Sequence, residues 1–556
     1  MFACEMTAVK PGTVPRMTTA ERAGAAGAGV VLLTLAAGQF LMTLDMSVMN
    51  VSIATVAEDV GTTVTGIQTA ITLYTLVMAT LMLTGGRIGT MIGRRRAFMI
   101  GGVIYGCGSA TTAFATNLTI LILGWSFLEG VGAALIMPAI VALVAGNFPP
   151  EGRPRAYGLV ASAGAIAVAA GPLLGGLATT YATWRLVFLG EVVIVLILLV
   201  LARRISDAPP EQRGKLDLVG SALSVAGLGM AVYGVLRSGE WGWVQAKSGA
   251  PEVLNLSPVF WLIVAGGVLI WAFFWWESRL ERLGRDPLVQ PSILASHQLT
   301  GGLTMFAFQF FIQAGLFFSI PLFLSVALGV SAVETGVRLM PLSLTLLLAA
   351  AGVPRLRPNA SPRRVVRLGL LTLLLGNLIL IAALDQGAGA DIVTVPLLLM
   401  GLGVGALASQ LGAVTVSAVG DEQSGAVGGL QNTATNLGAS LGTALVGSVL
   451  IAALSATLLS GALSNPTLAP YLSDQATTQL ESGVPFVSDA DVQAALDQAG
   501  VPPDVATAAS DEYAKARISG LRAGLGIVAL FTLVALFFTR AIPARLIAPE
   551  ADPLSG

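Results

Sequence analysis

The chain has 556 residues, 55% of them hydrophobic and only 11% charged, against about 25% charged in a typical soluble domain. The net charge of −1 says nothing about partners, but two cysteines (Cys4 and Cys107) and a single histidine (His297) all but exclude a disulfide framework, a zinc site and haem ligation. No G-x-x-x-x-G-K-S/T loop occurs, so ATP binding of the P-loop kind is excluded, and neither a cofactor nor a nucleic-acid partner is expected.

In chain order, residues 1–27 read as a polar tail carrying Lys10, Arg16 and Arg22. The apolar run that follows is too long for a signal-peptide core, so no cleaved signal is expected. Runs of about 20 apolar residues, each able to cross a 30 Å hydrocarbon layer as a helix, then predict fourteen spans. They cover 28–52, 66–86, 97–116, 119–146, 156–180, 184–202, 217–236, 258–276, 299–328, 334–351, 366–384, 392–416, 425–456 and 518–539. Arginines crowd alternate connections, among them Arg94, Arg95 and Arg96, Arg203 and Arg204, and Arg363 and Arg364. The positive-inside rule then places both termini in the cytoplasm. The connection 457–516 is acidic, with Asp474, Glu481, Asp489, Asp491, Asp497, Asp504 and Asp511. Within it Ser488 and Asp491 form a capping-box pattern that predicts a short helix over 489–499, and Pro503-Asp504 can open another. It reads as a solvated cap without a binding role.

Gly86-Arg87-Ile88-Gly89 followed by Gly93-Arg94-Arg95-Arg96 joins spans 2 and 3, and a weaker echo over 352–364 joins spans 10 and 11. The repetition predicts two six-helix halves, 28–202 and 299–545, with an inserted helix pair and its flanking loops over 203–298 and a tail over 546–556. The fold class is therefore an all-α polytopic membrane protein.

Three acids stand inside spans: Asp45, Glu129 and Glu191. A carboxylate at membrane depth costs from about 3 to more than 10 kcal/mol and usually marks a substrate or proton path. Glu129 lies about 15 Å along its span, near the midplane, with Trp125, Ser126, Gly132 and Ala133 as helical neighbours. Asp45 shares a helical face with Gly38, Met42, Met49 and Ser52. The competing structural roles are a protonated glutamate bonded between helices, and an Asp45 bonded to backbone or to Arg185. Glu334 and Arg338, spaced i, i+4, read as a structural pair. Gly164, Gly171 and Gly175 share a face that lets another helix approach, and Pro172 bends the same span. Asn432, Asn436 and the Gly438-x-x-x-Gly442 seam suggest interhelical packing. Phe306, Phe310 and Phe317, with Gln309 and Gln313 beside them, offer an apolar wall with hydrogen-bonding groups for lipophilic cargo.

Four stretches resemble the major facilitator superfamily, in particular its fourteen-helix drug:proton antiporter branch. They are Leu44-Asp45-Met46-Ser47-Val48-Met49-Asn50-Val51, the basic loop 86–96, Phe127-Leu128-Glu129-Gly130-Val131-Gly132-Ala133-Ala134, and Gly164 with Gly171-Pro172 and Gly175-Gly176. The resemblance implies two six-helix bundles plus two inserted helices, 14 transmembrane helices in all. It also implies that the first and fourth helices line a central cavity, bringing Asp45 and Glu129 together, with Glu191 on a more peripheral helix. Asp45, Glu129 and Glu191 are then the expected proton-coupling groups. Met42, Met49, Trp125, Ser126, Phe306, Gln309, Phe310 and Gln313 are the expected substrate cavity. Gly86, Gly93, Arg94, Arg95, Gly164, Gly171, Pro172, Gly175 and Gly176 are the expected gating and packing positions.

The chain departs from the family pattern in four places. Thr90-Met91 stands where Asp-Arg is usual, Ser126 where Arg is usual, Glu129 where Gln is usual and Glu191 where Asn is usual. Without the loop acid, the lock at the basic end is expected to be weaker. The expected function is proton-coupled export of small amphipathic organic compounds or drugs by alternating access, in a bacterial inner membrane. The protein is expected to act as a monomer whose partners are lipid, a small-molecule substrate and protons, and no enzymatic residue set is visible. The rival readings are an exporter or importer of a dedicated endogenous metabolite, and a membrane sensor or channel that does not transport.

Overall fold

The computed structural model describes residues 19–148, 153–207, 216–247, 249–285, 287–357, 360–418 and 424–545. The tail 546–556, most of the N-terminal tail, and Arg213 and Lys215 lie outside that set. Among the described residues the only strand-like pairing is one isolated bridge between Val253 and Leu256.

The first half contains α1 (Thr19–Val51), α2 (Ile53–Asp59), α3 (Val64–Ile92) and α4 (Arg94–Ala113). A short α5 (Leu118–Leu121) passes into a π-helical stretch (Ile122–Glu129) and on into α6 (Gly130–Asn147). Then come α7 (Arg153–Tyr181) and α8 (Arg185–Ala202). The inserted pair is α9 (Leu218–Trp241) and α10 (Pro258–Arg282). The second half has α11 (His297–Leu322), α12 (Ala332–Leu356), α13 (Pro362–Ala383), α14 (Thr394–Val416), α15 (Ser424–Ser464), α16 (Asp474–Ser482), α17 (Asp489–Gln498) and α18 (Pro503–Phe538).

Among the described residues twelve helices are long and apolar enough to cross a membrane, or thirteen if α7, bent by 41°, is one span. The predicted count of fourteen is therefore reached only in part. The remaining predicted span is α4, whose Arg94–Arg96 start and small, weakly apolar residues keep it below that threshold although it is a full 20-residue helix.

Side-chain caps start the helices where the sequence changes from polar to apolar. Thr63 accepts from the Gly66 amide, Asn117 from Ile120, Ser296 from Leu299 and Ser331 from Glu334. The predicted capping box is present, with Ser488 and Asp491 bonding reciprocally at the start of α17. The acidic connection is shorter than predicted. Helix α15 runs on to Ser464, and α18 begins at Pro503 rather than 518, because Pro at a first helical position starts a helix cleanly. Arg517, only 4% exposed, ties the connection down by donating to the Val487 carbonyl and pairing with Asp489.

Two seams join the halves. Along α3 and α15, Gln68 donates to the Thr443 carbonyl at 3.1 Å and Ser440 to the Thr72 carbonyl at 3.2 Å. Along α7 and α12, the Val333 amide donates to the Thr180 hydroxyl, and Ser343 donates to the Val168 carbonyl. A Cβ on Gly176 would collide with the Ala332 carbonyl, and one on Gly336 with the Pro172 carbonyl. By contrast Gly164, Gly171 and Gly175 face α1 of their own half, at Gln39 and Thr43, Ser47 and Val48. The fifth-helix glycines thus divide between packing inside one half and close approach between halves.

The inserted hairpin lies across the first seam. Thr84 of α3 donates to Ser221 of α9, and Ser448 of α15 donates to the Val235 and Leu236 carbonyls of α9.

Gly176→Val should prevent the α7–α12 seam from closing. Spin labels at Tyr181 and Gln386, both exposed at that end, should then report longer distances. An unchanged distance distribution would show that this seam does not govern how far apart the halves stand.

Candidate functional site

Three helices deliver the intramembrane acids to one point. Asp45 comes from α1, Glu129 from the last residue of the π-helical stretch, and Glu191 from the second turn of α8. One carboxylate oxygen from each lies within 4.8 Å of the other two. All three side chains are closed off, at 0%, 0% and 1% exposure. A π turn inserts one extra residue and re-aims the side chains around it; here it sits at Glu129.

Among the described residues the neighbours are hydroxyls and indole, with no basic group. Trp125 donates its Nε1–H to both Asp45 oxygens, at 2.8 and 3.0 Å. Tyr74 stacks face to face on Trp125, with centroids 5.0 Å apart. Helix α4 supplies a polar stripe spaced i, i+4, i+7. Tyr105 and Ser109 both donate to Glu191 Oε2 at 3.1 Å, and Thr112 meets Glu129 Oε1 at 3.1 Å. Glu129 Oε2, Glu191 Oε1 and the Tyr74 hydroxyl have no hydrogen-bond partner.

Arg185 does not reach Asp45. It pairs with Asp59 and donates to the Ala115 carbonyl at 2.7 Å, while Trp184 donates to the same Asp59. Such a set of carboxyls can hold exchangeable protons, or share a cation, but it holds no internal counter-charge.

Close backbone packing keeps water away. A Cβ on Gly108 of α4 would stand 2.6 Å from Glu129 Cγ and 2.7 Å from its nitrogen, and one on Gly124 would stand 2.8 Å from the Thr112 nitrogen. One turn beyond the acids, an apolar void of about 10 Å³ lined by Leu41, Met42, Phe98 and Val195, among others, lies at the limit of what one water needs.

The expected cavity residues of the first half are placed differently from the expectation. Met42, Met49, Trp125 and Ser126 are all buried within that half, Trp125 held by Asp45 and Ser126 donating to the Ala70 carbonyl at 2.8 Å. Met42 borders the small apolar void. In α11, Phe306, Phe310 and Gln313 are half-buried and Gln309 is buried, its Oε1 without a partner. Gly438 and Gly442 pack tightly on the α11 backbone at Ala307 and Phe311. Glu334 and Arg338 pair at 3.2 Å, and Arg338 also pairs with Asp391.

At the basic end Gly93 has φ +101°, a left-handed turn ending α3. Thr90 turns back to the Arg87 carbonyl, while Asp207, just past α8, accepts from the Arg95 amide at 3.2 Å at the start of α4. Arg95 donates in turn to the Ile205 carbonyl. An acid does serve a helix terminus here, but within one half. The close approach near the expected Gly86 is made by Gly85 against the Ala134 carbonyl. Sequence reasoning also missed Tyr74, Tyr105, Ser109, Thr112 and Gly108. The signal available for the α4 residues was the run of small and hydroxyl side chains in that helix.

The family model described as Major Facilitator Superfamily matches residues 35–443, which include all three acids, nearly all of the first half and the second half as far as α15. The chain belongs to the major facilitator superfamily. Among the superfamily's curated members, the puromycin resistance protein of Streptomyces alboniger is 31% identical over 453 residues, 80% of this chain and 84% of that protein. The probable actinorhodin transporter of Streptomyces coelicolor is 29% identical over 76% of this chain and 72% of its own length. Multidrug resistance protein Stp of Mycobacterium tuberculosis is 27% identical over 75% and 76%. Among solved structures, a bacterial homologue of the human lysosomal transporter Spinster shares the superfamily fold. Its TM-score is 0.57 at 15% identity, covering 94% of this chain and 99% of that one.

Gly108→Ala should push Glu129 out of register and destabilise the protein by about 1–3 kcal/mol, the usual cost of overpacking. Gly190→Ala, whose new methyl group meets nothing within 4 Å, is the control on the neighbouring helix. Thermal unfolding in detergent should lower the midpoint for the first and leave the second unchanged.

Proposed function

We propose that the protein is a secondary transporter that exports small amphipathic organic compounds by alternating access, in exchange for protons carried by Asp45, Glu129 and Glu191. The observation that carries this reading is the carboxyl cluster itself, three closed-off acids within 4.8 Å without a basic partner. A group that must be neutralised from outside, buried in the half that rocks, ties its loading to the state of the protein. One proton moving down 100 mV supplies about 2.3 kcal/mol. That is enough for roughly fifty-fold accumulation of cargo. The relatives' names, which speak of antibiotic resistance and drug export, support the choice of cargo class and of a non-enzymatic role.

In this reading α4 and α7 both cross the bilayer and bring the total to fourteen spans. The Arg94 end faces the cytoplasm, as the positive-inside rule requires, and the protein works as a monomer in a bacterial inner membrane. Phe306, Phe310 and Gln313 of α11 face the cargo path. A second reading, export of one dedicated metabolite, draws on relatives named for a single compound, actinorhodin and cephamycin.

In proteoliposomes with an imposed pH gradient, Glu129→Gln should abolish gradient-driven transport while leaving cargo binding largely intact. Asp45→Asn should do the same, because adjacent acids load as a unit. Transport by Glu129→Gln that still rises with the gradient would remove this cluster from the coupling mechanism.

A further inference from the structure

We infer that the Asp45–Glu129–Glu191 cluster is a binding site for a bare, hard cation of calcium size. The inference builds on the reading that these carboxyls are the ion-coupling site and assigns them a second occupant.

Four observations converge on it. The ligand atoms are oxygens only, three carboxylates from three separate helices within 4.8 Å of one another. Hard oxygen donors select hard cations over zinc or copper. Magnesium gives up its water reluctantly and usually keeps several waters, whereas calcium accepts an all-protein oxygen shell. The close glycine packing around Glu129 leaves no room for such waters, so the larger, more easily dehydrated ion suits the site.

The second observation is independent of the acids. The Tyr74 hydroxyl is fully buried, lies beside the Asp45 carboxyl, and makes no hydrogen bond of ordinary length. Its ring stacks on Trp125, which is itself bonded to Asp45, and this holds the hydroxyl beside the cluster. A neutral oxygen held this way is the fourth ligand that three carboxylates lack.

Third, Glu129 Oε2 and Glu191 Oε1 are also without partners, while the other oxygen of each is bonded by α4 hydroxyls. Each glutamate is thus oriented through one oxygen and leaves the other free, the arrangement that outer hydroxyls give to metal-bound carboxylates. Fourth, no described Arg, Lys or His pairs with any of the three, and the site is too tightly enclosed by the Gly108–Glu129 contact and by Trp125 for an organic cation. A divalent ion supplies two of the missing positive charges in the volume of one atom.

The test is direct binding to the purified, detergent-solubilised protein, read by luminescence of terbium, a calcium-sized lanthanide excited through a nearby tryptophan, and by displacement with calcium. Wild type should give a saturable signal that calcium displaces and that equimolar magnesium displaces at least tenfold less well. Glu129→Gln should abolish the saturable component, and Tyr74→Phe, which keeps the stacked ring, should weaken it about tenfold. Trp125→Phe should remove the excitation while radioactive calcium still binds.

The absence of saturable, calcium-displaceable binding to wild type would overturn the inference, and so would binding that survives Glu129→Gln together with Glu191→Gln. Should the variants fold poorly, the wild-type displacement series alone decides. The two readings of the cluster fail separately. Proton-driven transport lost in Glu129→Gln without any calcium binding would remove the cation site alone. Calcium binding with transport indifferent to a pH gradient would remove proton coupling alone.

Discussion

Charge compensation governs the first half of this molecule. Unit charges within 4.8 Å of one another repel by about 3.5 kcal/mol or more at an effective dielectric of about 20, so three ionised carboxyls this close are untenable without positive charge. Arg185 is committed to Asp59 and the Ala115 carbonyl. Relief therefore comes from whatever the cluster takes up. The surroundings are organised around that demand. Indole and hydroxyl donors hold one edge of the acids, glycine contacts between α4 and the π-helical stretch exclude water, and an apolar void closes off the next turn.

The family departures acquire a physical meaning in this setting. Ser126 stands where an arginine is usual, and its hydroxyl is spent on the Ala70 carbonyl. The usual internal counter-charge of the fourth helix is therefore replaced by a neutral link between helices. Glutamates stand at 129 and 191 where amides are usual, so the first half loses one base and gains two acids. On the proposed reading, the site takes its positive charge from an ion that enters from outside.

Much of this was legible in the sequence. The long apolar runs, the positions of Asp45 and Glu129 on facing helices, the capping box at Ser488 and the glycine face of α7 all follow from periodicity and residue chemistry. Glu191 read as peripheral because the family resemblance places its helix on the outside; the packing of α8 against α4 brings Glu191 to Tyr105 and Ser109. The π turn at Glu129 leaves no mark in residue identity, since it is a choice of backbone hydrogen bonds made by tertiary packing. Helix α4 was read only as a span, although its run of small and hydroxyl residues is the sequence signal of the polar site they line. Trp125 and Ser126 looked like cavity residues because their helix faces inward, and that face turned out to be occupied by α3 and Asp45. The boundary at Pro503 was available as a helix start; hydropathy alone placed the last span fifteen residues later.

The inserted hairpin imposes a mechanical condition on the whole assembly. Helix α9 is fastened by hydroxyl bonds to α3 on one half and to α15 on the other. Any hinge motion that parts α3 from α15 must stretch, break or drag this strap. Each fastening is a single hydroxyl bond of about 1 kcal/mol, so the strap yields to a modest force but resists progressively. It works like the check-strap on a door, setting how wide the mouth opens rather than whether it opens, and hence an upper limit on the girth of what passes.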